Sequence, residues 1–211
     1  MITTLNGFKL DEKMITERVG EKYYKKFKSA RVCILGLGGL GSNISVYLAR
    51  SGLGKLILVD YDIVEPSNIN RQYYNTSHIG MKKTEALKNI INEINPFVEV
   101  EVKNLKIDKN NINEIIKNEK YVCEALDDAD TKAMIVGEIL SKYNDKIIIS
   151  GSGMAGIENA NNILTHKKFK NLYVCGDEES DFKKVEGMMA PKVCICAGHQ
   201  ANVVLKLIKD E

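Results

Sequence analysis

Residues 32–41 read V-C-I-L-G-L-G-G-L-G, a β-prone run broken by glycine and followed by helical spacing. Gly36, Gly38 and Gly41 fit G-x-G-x-x-G between a strand and a helix. In such a turn the first glycine makes the tight bend and the second lets backbone approach a phosphate. The third lets the helix pack close to the sheet. The helix start then offers free N–H groups and a positive dipole end to an anion. Asp60 follows Gly36 by 24 residues at the end of the next β run, where a carboxylate can accept hydrogen bonds from a ribose. This context favours a nucleotide site over a purely structural turn. It does not say which nucleotide, and NAD is the default.

The flanking pattern extends the unit in both directions. Residues 11–29 read as an amphipathic helix through Met14, Val19, Tyr23 and Phe27. Strands are expected at 30–35, 56–60, 98–102, 121–125 and 146–150. Helices are expected at 42–51, 80–95, 111–118 and 129–143, with Pro96 ending the second. Residues 61–77 are polar and irregular, a long loop for an α/β unit, and such loops usually carry function. The order gives an α/β, Rossmann-like fold, a mostly parallel sheet with helices on both faces. After residue 150 the pattern loosens into a glycine turn (151–156), two short strands (161–165, 172–175), a charged stretch (178–184) and a final helix (187–208). One domain of 211 residues is expected: an N-terminal helical segment (1–29), a nucleotide-binding core (30–150) and a short irregular C-terminal extension (151–211).

Composition excludes several classes. Thirty Lys and Arg against 28 Asp and Glu leave a net charge of +2, too little for a general polyanion binder, so no nucleic-acid partner is expected. Apolar runs are strand-length, so no membrane span is expected. The first 13 residues have no apolar signal-peptide core. Five cysteines with no export signal read as cytoplasmic thiols. Cys33 and Cys123 lie in apolar strands and read as core. Cys194 and Cys196 diverge by about 200° on a helix, so no structural zinc is expected. Cys175 stands as a loop thiol.

Residues 60–72 read D-Y-D-I-V-E-P-S-N-I-N-R-Q. Together with G-L-G-G-L-G this resembles the ubiquitin-activating-enzyme-like adenylyltransferases, the ThiF/MoeB/HesA group. Residues 79–83 (I-G-M-K-K) are similar to the family's I-G-x-x-K, 94–96 to its I-N-P, and 124–128 (E-A-L-D-D) to its acidic pair after a strand. The tail, A-P-K-V at 190–193 and H-Q-A-N at 199–202, looks most like the short ThiF-type enzymes of thiamine biosynthesis. Asp128 departs from the family's asparagine.

The residue chemistry points the same way. Arg71 and Lys83 flank a loop that could fold over a triphosphate carrying about four negative charges. Hydride-transfer sites need no such set of cations, so an NAD-dependent oxidoreductase would leave Ser67–Gln72 and Lys83 without a task. A non-catalytic binder of a ubiquitin-like partner is the other competing reading.

The resemblance implies attack of a carrier protein's C-terminal Gly-Gly carboxylate on the α-phosphate of ATP, giving an acyl-adenylate and pyrophosphate. It implies that Gly39 and its neighbours meet phosphates and that Asp60 holds the ribose. It implies that Ser67, Asn68, Arg71 and Gln72 line the phosphate and acceptor side, that Lys83 contacts phosphate, and that Asp127 holds Mg²⁺ with Asp128 nearby. Several alternatives stay open: Lys82 for Lys83, a helix cap for Asp127 and Asp128, and a turn hydrogen bond for Asp62 in place of metal or ribose work. Some relatives transfer sulfur through a cysteine, for which Cys175 is the candidate here. The family also brings an N-terminal arginine from a second subunit, which would make the enzyme a homodimer. Arg18 is the candidate, with a solvated helix-face arginine as the alternative.

Overall fold

The computed structural model describes residues 2–181 and 184–211. Residue 1, and residues 182 and 183 of the expected charged stretch, lie outside the described residues.

The chain opens on a hairpin, β1 (Ile2–Leu5) and β2 (Phe8–Asp11), and not on a helix. Asn6 and Gly7 both take positive φ, the two-residue turn that matches strand twist. The expected helix over 11–29 is also divided. α1 (Glu12–Thr16) runs into a 3₁₀ turn at Glu17–Val19, Gly20 breaks the path at φ +85°, and α2 (Glu21–Ser29) follows. Helical spacing of apolar residues across the break concealed it.

The core follows in alternation: β3 (Arg31–Leu35), α3 (Gly39–Arg50), β4 (Lys55–Asp60), α4 (Lys83–Ile94) and β5 (Glu99–Asn104). Next come α5 (Ile112–Ile115), β6 (Tyr121–Glu124), α6 (Ala129–Lys142) and β7 (Ile147–Gly151). The C-terminal part is more regular than its sequence pattern. β8 (Leu164–Phe169) and β9 (Leu172–Gly176) extend the main sheet, and α7 (Ala190–Lys209) is a 20-residue helix packed along α3.

The seven-stranded sheet has the order β5-β4-β3-β6-β7-β9-β8, parallel except for the antiparallel edge strand β8. Its central strands β3, β4, β6 and β7 are buried on both faces, as a helix-covered parallel sheet requires. In β3, Val32 and Ile34 join the core under α3, α4 and α7, while Cys33 and Leu35 join the core under α5 and α6. Strand order reverses between β3 and β6. The crevice at the carboxyl ends of these two strands is the general ligand position of open α/β sheets.

Among the described residues no helix is long and apolar enough to cross a membrane.

Candidate functional site

Three segments meet at that crevice: the glycine turn after β3, the long excursion after β4, and the turn after β6. Gly36 takes φ +86°, and a Cβ there would stand 2.7 Å from the carbonyl oxygen of Ala125. The glycine turn and the β6 turn are therefore in direct backbone contact. A Cβ on Gly41 would fall 1.9 Å from the Gly36 oxygen, so the third glycine is what lets α3 start this close to β3. Gly38 differs, because the nearest atom to its missing Cβ is Gln72 Nε2 at 3.8 Å. Space there lies open toward the helix start. Among the described residues no side chain caps α3, so its first N–H groups face the crevice.

Asp60 is buried and ends β4. Its Oδ2 accepts from the Leu37 N–H at 2.7 Å and its Oδ1 from the Asp62 N–H at 2.8 Å. The carboxylate thus braces the glycine turn against the end of β4.

The loop expected to be irregular is closed at its base. The Val64 N–H donates to Met81 O at 2.8 Å, the Gly80 N–H donates to Val64 O at 2.9 Å, and Ile63 bridges Lys82. Two short 3₁₀ turns, Pro66–Asn68 and Thr76–His78, shape the excursion. Asn68 is buried, and its Oδ1 accepts from the Glu65 N–H at 3.0 Å. The segment then folds onto the start of α3. The Tyr73 N–H donates to Ser42 Oγ at 3.0 Å, and Asn43 Nδ2 donates to Gly39 O at 2.7 Å and Arg71 O at 3.1 Å. The buried Tyr74 hydroxyl donates to Leu37 O at 2.9 Å, and its pKa is pushed well up by burial and then by Asp60 and Asp62.

This folding sets Arg71 beside Gly39, its Cγ 3.6 Å from where a Gly39 Cβ would be. Arg71 Nη1 donates to Ser67 O at 3.0 Å and Asn70 Oδ1 at 2.8 Å, which fixes the guanidinium's orientation. Gln72 is buried beside Gly38, and its Oε1 has no hydrogen-bond partner among the described residues. An orphaned buried amide at the mouth of an uncapped helix is a polar group in want of a ligand.

Lys83 and Lys82 separate cleanly. Lys83 is buried and pairs with Asp62 Oδ2 at 2.8 Å, while Lys82 is exposed. Asp62 therefore holds the lysine, and its backbone oxygen also accepts the Lys83 N–H at 2.9 Å.

The two aspartates after β6 also divide. Asp128 caps α6, accepting from the Thr131 N–H at 2.8 Å and Thr131 Oγ1 at 2.6 Å. Asp127 is exposed at the crevice edge. Among the described residues no three His, Cys, Asp or Glu side chains form a ligand cluster. One exposed carboxylate fits Mg²⁺, which takes one or two carboxylates and completes its shell with phosphates and water.

Two expected residues lie elsewhere. Arg18 is exposed in the 3₁₀ turn next to Thr16, and Thr16 packs on Gly52 just beyond the end of α3. The 12 residues of α3 span about 18 Å, so Arg18 lies toward the far end of the helix from Gly39. Cys175 is not a loop residue. It sits fully buried in β9, with Thr165 Oγ1 3.5 Å from its Sγ. Burial, partly offset by that contact, pushes its thiol up to about 11.

Sequence reasoning missed Ser42 and Asn43, which bind the excursion to α3, and Tyr74, which binds it to the glycine turn. Adjacent polar residues in the first turn of an otherwise apolar helix were the available signal.

The sequence profile of the ThiF family matches residues 10–211. The chain is 33% identical over 163 residues to the adenylyltransferase and sulfurtransferase UBA4 of Vanderwaltozyma polyspora, covering 77% of this chain and 37% of that protein. It is 29% identical over 187 residues to the molybdopterin-synthase adenylyltransferase of Salmonella typhimurium, covering 86% and 74%. Among solved structures, the tRNA N6-threonylcarbamoyladenosine dehydratase TcdA of E. coli, in complex with ATP, superposes with a TM-score of 0.84 at 22% identity, covering 93% and 94%. E. coli MccB with ATP gives 0.71 at 26% identity, covering 90% of this chain and 58% of that one. The profile match over nearly the whole chain, with the glycine turn, the Asp60–Gln72 excursion and the β6 turn meeting at one crevice, places this protein in the ThiF family.

Proposed function

We propose that the chain is an adenylyltransferase acting on the C-terminal Gly-Gly carboxylate of a small ubiquitin-fold sulfur-carrier protein. We take a ThiS-like carrier, serving thiamine thiazole biosynthesis, as its substrate. The observation that carries the reading is the seating of Arg71 and Gln72 against Gly39 and Gly38, at the uncapped start of α3. A dinucleotide site needs the glycines and Asp60 alone. A triphosphate needs the added cation.

In this reading the amides at Gly38 and Gly39 and the Arg71 guanidinium receive the phosphates, and Asp60 receives the ribose. Lys83, released in part from Asp62, faces the same charge. Ser67 and Asn68 shape the acceptor side. An α-carboxyl has an ordinary pKa of about 3.5 and arrives ionised, so no general base is required. A carboxylate oxygen bonds to the α-phosphorus as the bond to the leaving pyrophosphate breaks. The protein's contribution is alignment and neutralisation of charge that builds on the phosphates. Mg²⁺, held by Asp127, would supply additional neutralisation. Arg18 can serve this site only from a second copy, which makes a homodimer part of the proposal. A cytoplasmic location accords with the free thiols.

Intact-mass measurement tests the reading. A Gly-Gly-ended carrier incubated with enzyme and MgATP should gain one adenylyl group, and a carrier lacking the last glycine should not. An unmodified carrier with intact enzyme would sink it, and NAD binding without ATP binding would favour an oxidoreductase.

A further inference from the structure

We propose that the buried Glu124 and the half-buried Lys132 are a positioning pair that sets the turn bearing Asp127 against the glycine turn, and so controls how strongly Mg²⁺ tightens ATP binding. The inference rests on the nucleotide reading above.

Glu124 ends β6 and is fully buried. Its Oε1 accepts from the Leu126 N–H at 2.7 Å. Its Oε2 accepts from Ser150 Oγ and Lys132 Nζ, each at 2.5 Å. Lys132 comes from the first turn of α6 and also donates to Gly151 O at 3.0 Å. One carboxylate and one ammonium therefore connect the ends of β6 and β7 with the start of α6.

The segment so held is short. The Ala125 N–H donates to Leu35 O at 2.8 Å, and the Ala125 oxygen faces the space a Gly36 Cβ would fill. Leu126 is tied to Glu124, and Asp128 caps α6. Asp127 is the residue between these anchors, exposed at the crevice. A shift of Glu124 would move the turn that carries Asp127 relative to the phosphate-facing amides.

Stability alone gives little reason for a charged pair here. Apolar residues of similar volume often hold a core as well or better, whereas loss of one partner strands a charge. What an apolar pair cannot do is direct the Leu126 amide and the Gly151 carbonyl. Groups behind a metal ligand typically change metal affinity by about 10–100-fold when removed.

The experiment is calorimetric titration of ATP into wild type, Glu124→Leu/Lys132→Met and Glu124→Gln, each in Mg²⁺ and in EDTA, with thermal melting alongside. The double variant leaves the Leu126 N–H, Ser150 hydroxyl and Gly151 oxygen without these partners, so it should melt below wild type yet bind Mg-free ATP as wild type does. Its affinity gain from Mg²⁺ should fall about tenfold. Glu124→Gln keeps the side chain's shape and removes the charge facing Lys132, so it should lose part of the gain, and it decides the matter if the double variant fails to fold. A full Mg²⁺ gain in the folded double variant, or in Glu124→Gln when that variant decides, overturns the proposal. Wild type that binds no ATP would instead overturn the nucleotide reading, and this inference with it.

Discussion

The carboxylate of Asp60 holds the backbone N–H of Leu37 at 2.7 Å, so the end of β4 and the middle of the glycine turn are a single hydrogen-bonded unit. Asp60→Asn replaces one acceptor oxygen by a donor, leaving either the Leu37 or the Asp62 N–H unpaired. A loss of about 1–3 kcal/mol is expected from the stranded buried donor. The melting-temperature increase produced by MgATP should shrink as well. Thermal melting with and without MgATP checks both, and an undiminished increase would detach Asp60 from nucleotide binding.

The glycines separate packing from ligand binding. Gly41→Ala places a methyl 1.9 Å from backbone and should prevent stable folding. Gly38→Ala meets nothing nearer than 3.8 Å, so the fold should survive. Its methyl would occupy the space where a phosphate meets backbone, and ATP affinity should fall by about tenfold or more, or about 1.4 kcal/mol. A folded Gly38→Ala protein with wild-type ATP affinity would show that nothing approaches that amide.

Thiol chemistry bears on sulfur transfer. Cys33, Cys123, Cys175 and Cys196 are buried, while Cys194 is half-buried. With Cys175 pushed up to about 11, its thiolate fraction at neutral pH is below about one in a thousand. Maleimide labelling of the native protein at pH 7.5 should modify Cys194 first and the others only on unfolding. Fast labelling of Cys175, located by peptide mass mapping, would reopen its candidacy as an acceptor.

Acid should weaken the junction between β9 and α7. Asp177 Oδ2 pairs with the buried Lys192 Nζ at 2.8 Å, and its Oδ1 accepts from the amides of Ser180 and Glu179. Burial opposes ionisation, but Lys192 and these donors outweigh it and hold the carboxyl below the usual range. A depressed folded pKa gives stability that is complete above the ordinary carboxylate pKa and is lost as pH falls toward the folded value. Asp177→Asn should cost on the order of 3 kcal/mol near pH 7 and flatten the decline of stability below about pH 4. Urea unfolding across that range is the check, and parallel wild-type and variant curves would contradict the assignment.

Much of this protein was readable from local patterns, because its central elements obey them. β3 and β4 are apolar runs bounded by glycine or aspartate, and α4 carries its stripe to Pro96. The hairpin at residues 2–11 escaped because its strands are short and mostly exposed, with little alternation to detect. The division at Gly20 escaped because Met14, Val19, Tyr23 and Phe27 keep helical spacing on either side of it. At the site, Gly36 and Gly41 were legible because each has a fixed backbone task, whereas the bonds of Asp60 to the Leu37 and Asp62 amides were not foreseen. The burial of Lys83 on Asp62 beside an exposed Lys82, and the capping of α6 by Asp128, depended on which neighbour each side chain reaches. The Glu124–Lys132 pair was invisible, since it joins residues whose proximity is set by the sheet.

The central claim is tested most directly by ATP–pyrophosphate exchange with and without a Gly-Gly-ended thiamine sulfur carrier. Exchange should depend on the carrier and disappear in Arg71→Ala, whose melting temperature should stay close to wild type because, among the described residues, that guanidinium bonds Ser67 and Asn70 of its own loop. Absence of exchange with such carriers in folded wild-type protein, or wild-type exchange in Arg71→Ala, would contradict the account.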